Sequence, residues 1–182
     1  MDSIGEFFDR LCEVTEIVSE KAASRSALSV VEVQWDHPDA EALRAAMAAE
    51  VGPRYADRAA GMARTKANHV DPETVHRTIL VYAGDKAVGH AAVRWNGGDL
   101  ELKRMFVHAE HRGTGVSTAL LVASENAARE AGLPRLILQT GDRQPDAVRL
   151  YEKSGYTRIP IFPPYEEMPY SNTFEKVFAA PS

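Results

Sequence analysis

A single cysteine, Cys12, stands in a chain of 182 residues, so no disulfide can close within it and a reducing cytoplasm is the expected setting. Basic charge is also short: 21 Lys and Arg face 26 Asp and Glu, for a net charge of -5. That balance excludes a global nucleic-acid footprint, so any anionic ligand has to be met by a local site. No run approaches the roughly 18 apolar residues of a membrane span, and the N-terminal stretch lacks the basic-then-apolar order of a signal peptide. Neither a membrane partner nor export is expected. A metal set is missing too. His108, Glu110 and His111 lie close together but lack a third and fourth ligand at metal spacing, and read as solvated loop residues.

What is present is the composition of an ordinary globular domain, 45% hydrophobic and 26% charged. Ile4, Phe7, Phe8, Leu11, Val14, Ile17 and Val18 share one helical face, so residues 1–27 read as an amphipathic extension with a polar linker. Residues 28–178 read as one domain, and 179–182 as a tail. Within the domain a strand from Leu28 to Trp35 precedes a helix opened by Pro38, which Gly52-Pro53 is expected to stop; Arg54 to Ala67 reads as helical or irregular. Strands from Thr78, Ala87 and Leu100 form an antiparallel meander. Helix, strand, helix and strand follow, with a last strand from Asn172 to Phe178. The fold class is α/β (α+β), a mixed and mostly antiparallel sheet of six to seven strands with helices on both faces.

Between the third meander strand and the next helix lies Glu110-His111-Arg112-Gly113-Thr114-Gly115-Val116-Ser117. Glycines at 113 and 115 permit positive φ and close approach, and the first amides of the following helix have no intrahelical acceptor. Such a turn is suited to a pyrophosphate, with Arg112 adding charge and Ser117 or Thr118 a hydroxyl. A tight strand-to-helix turn without a ligand has the same outline. The pattern lacks the closing Gly-Lys-Ser/Thr of a P-loop and the third glycine of a dinucleotide fold.

A second motif, Asp146 to Tyr156 (DAVRLYEKSGY), lies on the later helix and its exit. Together the two motifs resemble the GNAT family of N-acetyltransferases, with its R/Q-x-x-G-x-G/A signature and a later A-x-x-L-Y-x-x-x-G-F/Y helix. The resemblance covers residues 28 to 178. Ser117 departs from the final Gly or Ala, and Gln144 stands where many members have Asn. A bacterial small-molecule subgroup is also similar in Glu101 to Val107 (ELKRMFV), Leu138 to Ala147 (LQTGDRQPDA), and Phe162-Pro163-Pro164-Tyr165 with Phe174-Glu175-Lys176.

The resemblance implies acetyl-CoA as co-substrate, held by Met105, Phe106 and Val107 along the strand, by Arg112, Gly113, Thr114, Gly115, Val116, Ser117 and Thr118 at the turn, and by Gln144. It implies transfer to a primary amine of a small molecule by direct attack in a ternary complex, and it allows a homodimer. Acetylation of a protein Lys or N-terminus, or acyl-CoA binding without turnover, are the alternatives. Glu101, eleven positions before Arg112, is the expected base. Ion pairing of Glu101 with Lys103 or Arg104 on a solvent-facing strand competes with that role. Tyr151 is the expected acid for the departing thiolate, with core packing as its other role. Arg54, Tyr55, Gln139, Phe162 and Tyr165 are the expected acceptor contacts, with Tyr170, Glu166 and Glu167 nearby.

Overall fold

The computed structural model describes residues 27–58 and 69–179. The expected leading helix, and the part of the segment after Gly52 beyond residue 58, lie outside the described residues. The elements are β1 (Leu28–Val33), α1 (Pro38–Val51), β2 (Val75–Ala83), β3 (Lys86–Asn96), β4 (Asp99–Val107), α2 (Val116–Glu130), β5 (Arg135–Gly141), α3 (Pro145–Lys153), β6 (Thr157–Arg158) and β7 (Ser171–Val177). They build one seven-stranded sheet in the order β1-β2-β3-β4-β5-β7-β6, in which only β4 and β5 pair parallel. No helix among the described residues is long and apolar enough to cross a membrane.

Alternation along the strands sorts the core into two layers. Ile79, Val81, Leu100, Leu102, Leu136 and Leu138 face α2, whose Val116, Leu120 and Ala127 are buried against them, together with Tyr151 of α3. Leu80 and Phe106 point the other way, onto Ala40 and Leu43 of α1. Each such buried large side chain contributes about 1.5–3 kcal/mol. Gly89 on β3 lets α2 come close: a Cβ there would stand 2.5 Å from Val116 Cγ1.

Gly52-Pro53 ends α1 after Val51, as expected. Gly52 keeps right-handed helical angles and donates to the Ala48 carbonyl, while Pro53 lacks the N–H that an α-helical ladder requires, so the chain tightens into a 3-10 stretch over Gly52–Arg58. One sequence expectation is corrected, the start of β2: it lies at Val75 rather than Thr78, because polar His76 and Arg77 conceal a paired strand end. Arg77 there holds Glu32 and Glu130 at 2.7 and 2.8 Å.

One irregularity positions everything that follows. Between His90 and Ala92 β3 advances two residues, while β4 advances three, from Lys103 to Phe106. The extra residue is a β-bulge, and Arg104 within it has φ 55, a left-handed value rare for a side-chain-bearing residue. Buried His90 braces it. Nδ1 lies 2.8 Å from the Arg104 carbonyl and therefore carries the proton, leaving Nε2 to accept from Arg44 Nη1 at 3.4 Å. Burial lowers the His90 pKa to about 4.

The unfolded imidazole titrates near 6.5, so the His90 contribution is complete above about pH 6.5 and is lost as pH falls toward 4, on the order of 3 kcal/mol in full. In urea melts at pH 7 and 4.5, His90→Asn is expected to be less stable than wild type at pH 7. It should also lose about 2 kcal/mol less between the two conditions. Equal losses would show that His90 is not the acid-sensitive brace.

Candidate active site

β4 and β5 pair only from Leu100–Leu102 to Leu136–Leu138. Beyond that β4 continues to Val107, and β5 follows β7 instead, out to Gly141 opposite Ser171. The two strands therefore splay, and the side of β4 that faced β5 loses its sheet partner. A cavity of about 570 Å³ occupies the opening, walled by Met47 and Val51 of α1, Tyr55, Lys103 to Met105, Gln139 to Gly141, Tyr151 and the bend 167–171.

At the outer end of β4 the glycine turn has the predicted form. Gly115 is the N-cap of α2 with φ 95, and Gly113 has φ 76. A Cβ at Gly113 would meet nothing within 4 Å, and one at Gly115 only Leu28 Cδ1 at 3.9 Å, so the approach to the first amides of α2 is open. Val116 is buried, and what it offers a ligand is its amide. Thr114 Oγ1 is used in the turn, donating to the His111 carbonyl at 2.7 Å. Arg112 is engaged as well: Nη2 holds Glu50 of α1 at 2.6 and 2.8 Å, and Nε donates to the Val107 carbonyl at 3.1 Å.

The bulge reverses the side-chain alternation. Met105 and Val107 pack toward the α2 layer, whereas Phe106 packs under α1 and does not line the cavity. Tyr151 lines the cavity from α3. Its hydroxyl lies 4.0 Å from Met105 Sδ, and burial pushes its pKa up to about 12, so it is a neutral phenol with a proton to give.

Glu101 sits otherwise than a free base on a strand surface would. It is 0% exposed and does not line the cavity. Oε2 accepts from Arg94 Nε at 3.0 Å, Arg94 Nη2 at 2.9 Å and Asn96 Nδ2 at 3.3 Å. Oε1 accepts the Tyr165 hydroxyl and lies 3.6 Å from Lys103 Nζ. The pairing with Lys103 weighed from sequence is present, but in the interior rather than in solvent. Arg94 is the partner the sequence reading missed. The signal was available: Asn96 pairs with Asp99 across the hairpin, and counting back two rungs sets Arg94 opposite Glu101.

The expected acceptor contacts divide. Tyr55 and Gln139 line the cavity, Tyr55 accepting from the Arg143 amide at 3.0 Å and Gln139 donating to Ser171 Oγ at 3.0 Å. Tyr170 and Glu167 also line it, and Gln144 stands at the start of α3 on the same wall. Arg54 is outside, paired with Glu50 at 3.1 Å. Phe162 and Tyr165 are behind the wall, with ring centroids 5.4 Å apart in an edge contact.

A profile of the Acetyltransferase (GNAT) family matches residues 32–156. The chain belongs to that family. An IAA acetyltransferase of Azospirillum brasilense is 41% identical to this GNAT chain over 88 residues, which are 48% of the chain and 58% of that protein. The chain thus spans a little over half the length of this curated relative. A Klebsiella pneumoniae structure assigned as an acyl-CoA N-acyltransferase superimposes with a TM-score of 0.66 at 27% identity, covering 84% of the chain and 98% of that structure. A Bacillus anthracis acetyltransferase structure, solved with acetyl coenzyme A, superimposes with a TM-score of 0.51 at 18% identity over 57% of the GNAT chain and 63% of its own.

Acetyl-CoA, the co-substrate of this family, finds suitable groups here. The open glycines and helix-start amides suit a pyrophosphate, and the unpaired edge of β4 suits an amide-bearing arm. Arg94 holds the Glu101 charge in the interior, so its loss leaves a carboxylate unneutralised. In calorimetric or urea unfolding, Arg94→Met is expected to cost the GNAT domain about 3–5 kcal/mol. A cost under about 1 kcal/mol would mean that Glu101 is compensated without it.

Proposed function

We propose that this protein transfers an acetyl group from acetyl-CoA to the primary amine of a small molecule, with both bound at once. The observation that carries the reading is the cavity of about 570 Å³ at the β4–β5 splay. It has the size that takes small ligands, and Tyr55 and Tyr170 supply aromatic surface. The relative named for IAA supports a small-molecule acceptor. A protein acceptor would call for an open groove.

Acetyl-CoA would supply the acetyl group as an activated thioester. The chain's own residues do the rest. The amides opening α2 hold the pyrophosphate, and Gly113 and Gly115 let it approach. Backbone N–H groups of β4 past Leu102, freed from β5, orient the thioester carbonyl and stabilise charge on its oxygen without a side chain. Tyr151 holds a proton at Oη beside Met105 and passes it to the departing sulfur as the C–S bond breaks, while the attacking amine loses its proton to water as the N–C bond forms.

Glu101 is assigned a positioning role rather than that of base. Its oxygens are taken by Arg94, Asn96 and Tyr165, and it has no access to the cavity. The carboxylates that line the cavity, Asp142 and Glu167, are exposed and attract an ammonium toward the opening.

Acetyl-CoA-dependent thiol release across amines, amino acids, aminoglycosides and basic peptides tests this. Turnover is expected with a small amine, and Tyr151→Phe should lower kcat by about a hundredfold while acetyl-CoA affinity changes little. Turnover confined to basic peptides would favour a protein acceptor, and acetyl-CoA binding with no turnover would favour a binding protein.

A further inference from the structure

The buried side of the cavity is richer in positive charge than catalysis of acetyl transfer requires. Lys103 and Arg104 both line it, and Arg94 lies directly behind. Among the described residues, Arg94 and Lys103 share one buried carboxylate at this side of the cavity, Glu101. Arg94 already occupies that carboxylate with two donors, and Arg94 Nη1 goes to the His69 carbonyl at 3.1 Å. His90, on the neighbouring strand, is neutral at ordinary pH and offsets nothing.

Lys103 is the decisive group. It is 7% exposed, and alternation puts it on the α1 face of the sheet, which Met47 and Val51 share as cavity walls. An ammonium has three donors. One goes to Tyr165 Oη, and the nearest Glu101 oxygen, at 3.6 Å, is an ion-pair neighbour beyond hydrogen-bond reach. Tyr165 in turn gives its only proton to Glu101. Among the described residues, two donors of a nine-tenths buried ammonium are thus left without an acceptor on the wall of a cavity. Burial lowers the Lys103 pKa to about 8, with Glu101 opposing the shift.

We infer that the acceptor amine carries a carboxylate, and that Lys103 binds that carboxylate at the buried side of the cavity. The inference rests on the proposed acetyl transfer and narrows its substrate class to amino acids and related amino carboxylates. The arrangement is polarised to suit them. Asp142 and Glu167 are the acidic lining residues, both exposed, and Arg58 pairs with Asp142 at 3.0 Å, leaving Glu167 to face an ammonium. A zwitterion fits such a field better than a simple amine or polyamine, which would bring a further positive charge toward Lys103. Lys103 touches substrate in this role but does not take part in the bond changes.

Two measurements test it. Calorimetry with a panel of N-acetyl amino acids and their carboxamides reads recognition without turnover. The carboxylates are expected to bind at least about tenfold more tightly, and Lys103→Met should remove that preference while Lys103→Arg keeps part of it. Kinetics with amino acids and their decarboxylated amines reads the same discrimination. A kcat/KM ratio of about a hundred or more in wild type should fall to within about tenfold of unity in Lys103→Met. A Lys103 that merely stabilised the fold, or served as a base, would depress both members of a pair alike and leave the ratio unchanged, overturning the inference. Equal binding of carboxylates and carboxamides by the wild type, or binding of neither, would also overturn it. Carboxylate preference in calorimetry with no acetyl transfer to any amine would instead uphold the site and refute the transferase reading.

Discussion

The extra residue in β4 is the constraint on which the site depends. A regular strand would keep Glu101, Lys103, Met105 and Val107 on one face and would continue to pair with β5. With the bulge, Glu101 and Lys103 keep the α1 face and Phe106 joins it, while Met105 and Val107 turn toward the layer that holds Tyr151. Two groups of residues on opposite faces of the sheet thereby meet at one opening. The left-handed Arg104 backbone costs on the order of 1–3 kcal/mol. His90 offsets part of it by donating to the carbonyl that this conformation turns inward.

The second constraint is the charge enclosed beside the opening. Burying Arg94, Glu101 and Lys103 costs desolvation energy that the pair attraction only partly returns. Apolar residues of similar volume are often at least as stabilising in such positions, and the acceptor recognition proposed for Lys103 gives the cluster a role besides stability. Glu101 separates Arg94 from Lys103 and, through Tyr165, secures the bend that leads to the 167–171 wall. This is also why a carboxylate at the base position of a strand need not act as a base: three residues donate to it, and it does not line the cavity.

Much of this was legible in the sequence, for identifiable reasons. The glycine turn, the three helices and the antiparallel meander depend on local rules, and Gly113, Gly115, Pro38 and Pro145 announce them directly. Tyr151 could be placed because its helix starts at a proline and ends at Gly155. The family resemblance implies a bulge near the cofactor cleft, but its place was not legible, because nothing in Lys103-Arg104-Met105 marks a left-handed residue and the bracing His90 lies on another strand. The engagement of Arg112 with Glu50 was hidden because it joins residues 62 positions apart. Phe162 and Tyr165 were placed on the cavity wall because aromatic residues near a bend suit both a pocket and its supporting layer, and only the packing decides which.

The two halves of the cavity ask different things of a ligand, and they are separated by one feature of backbone geometry. On the Tyr151 and Met105 side the chain offers peptide groups and a weakly acidic phenol, neither of which distinguishes one acyl acceptor from another. On the Lys103 side it offers fixed charge held out of water, where a mismatched ligand forfeits both its own hydration and its pairing. In the proposed reading, chemistry common to a family stays on the strand edge and the helix start, while the choice of acceptor falls to side chains just ahead of the bulge. Because both sides belong to one strand, a change in the bulge would move the transferred group and the acceptor together, and their relative placement is preserved by the backbone rather than by any single contact.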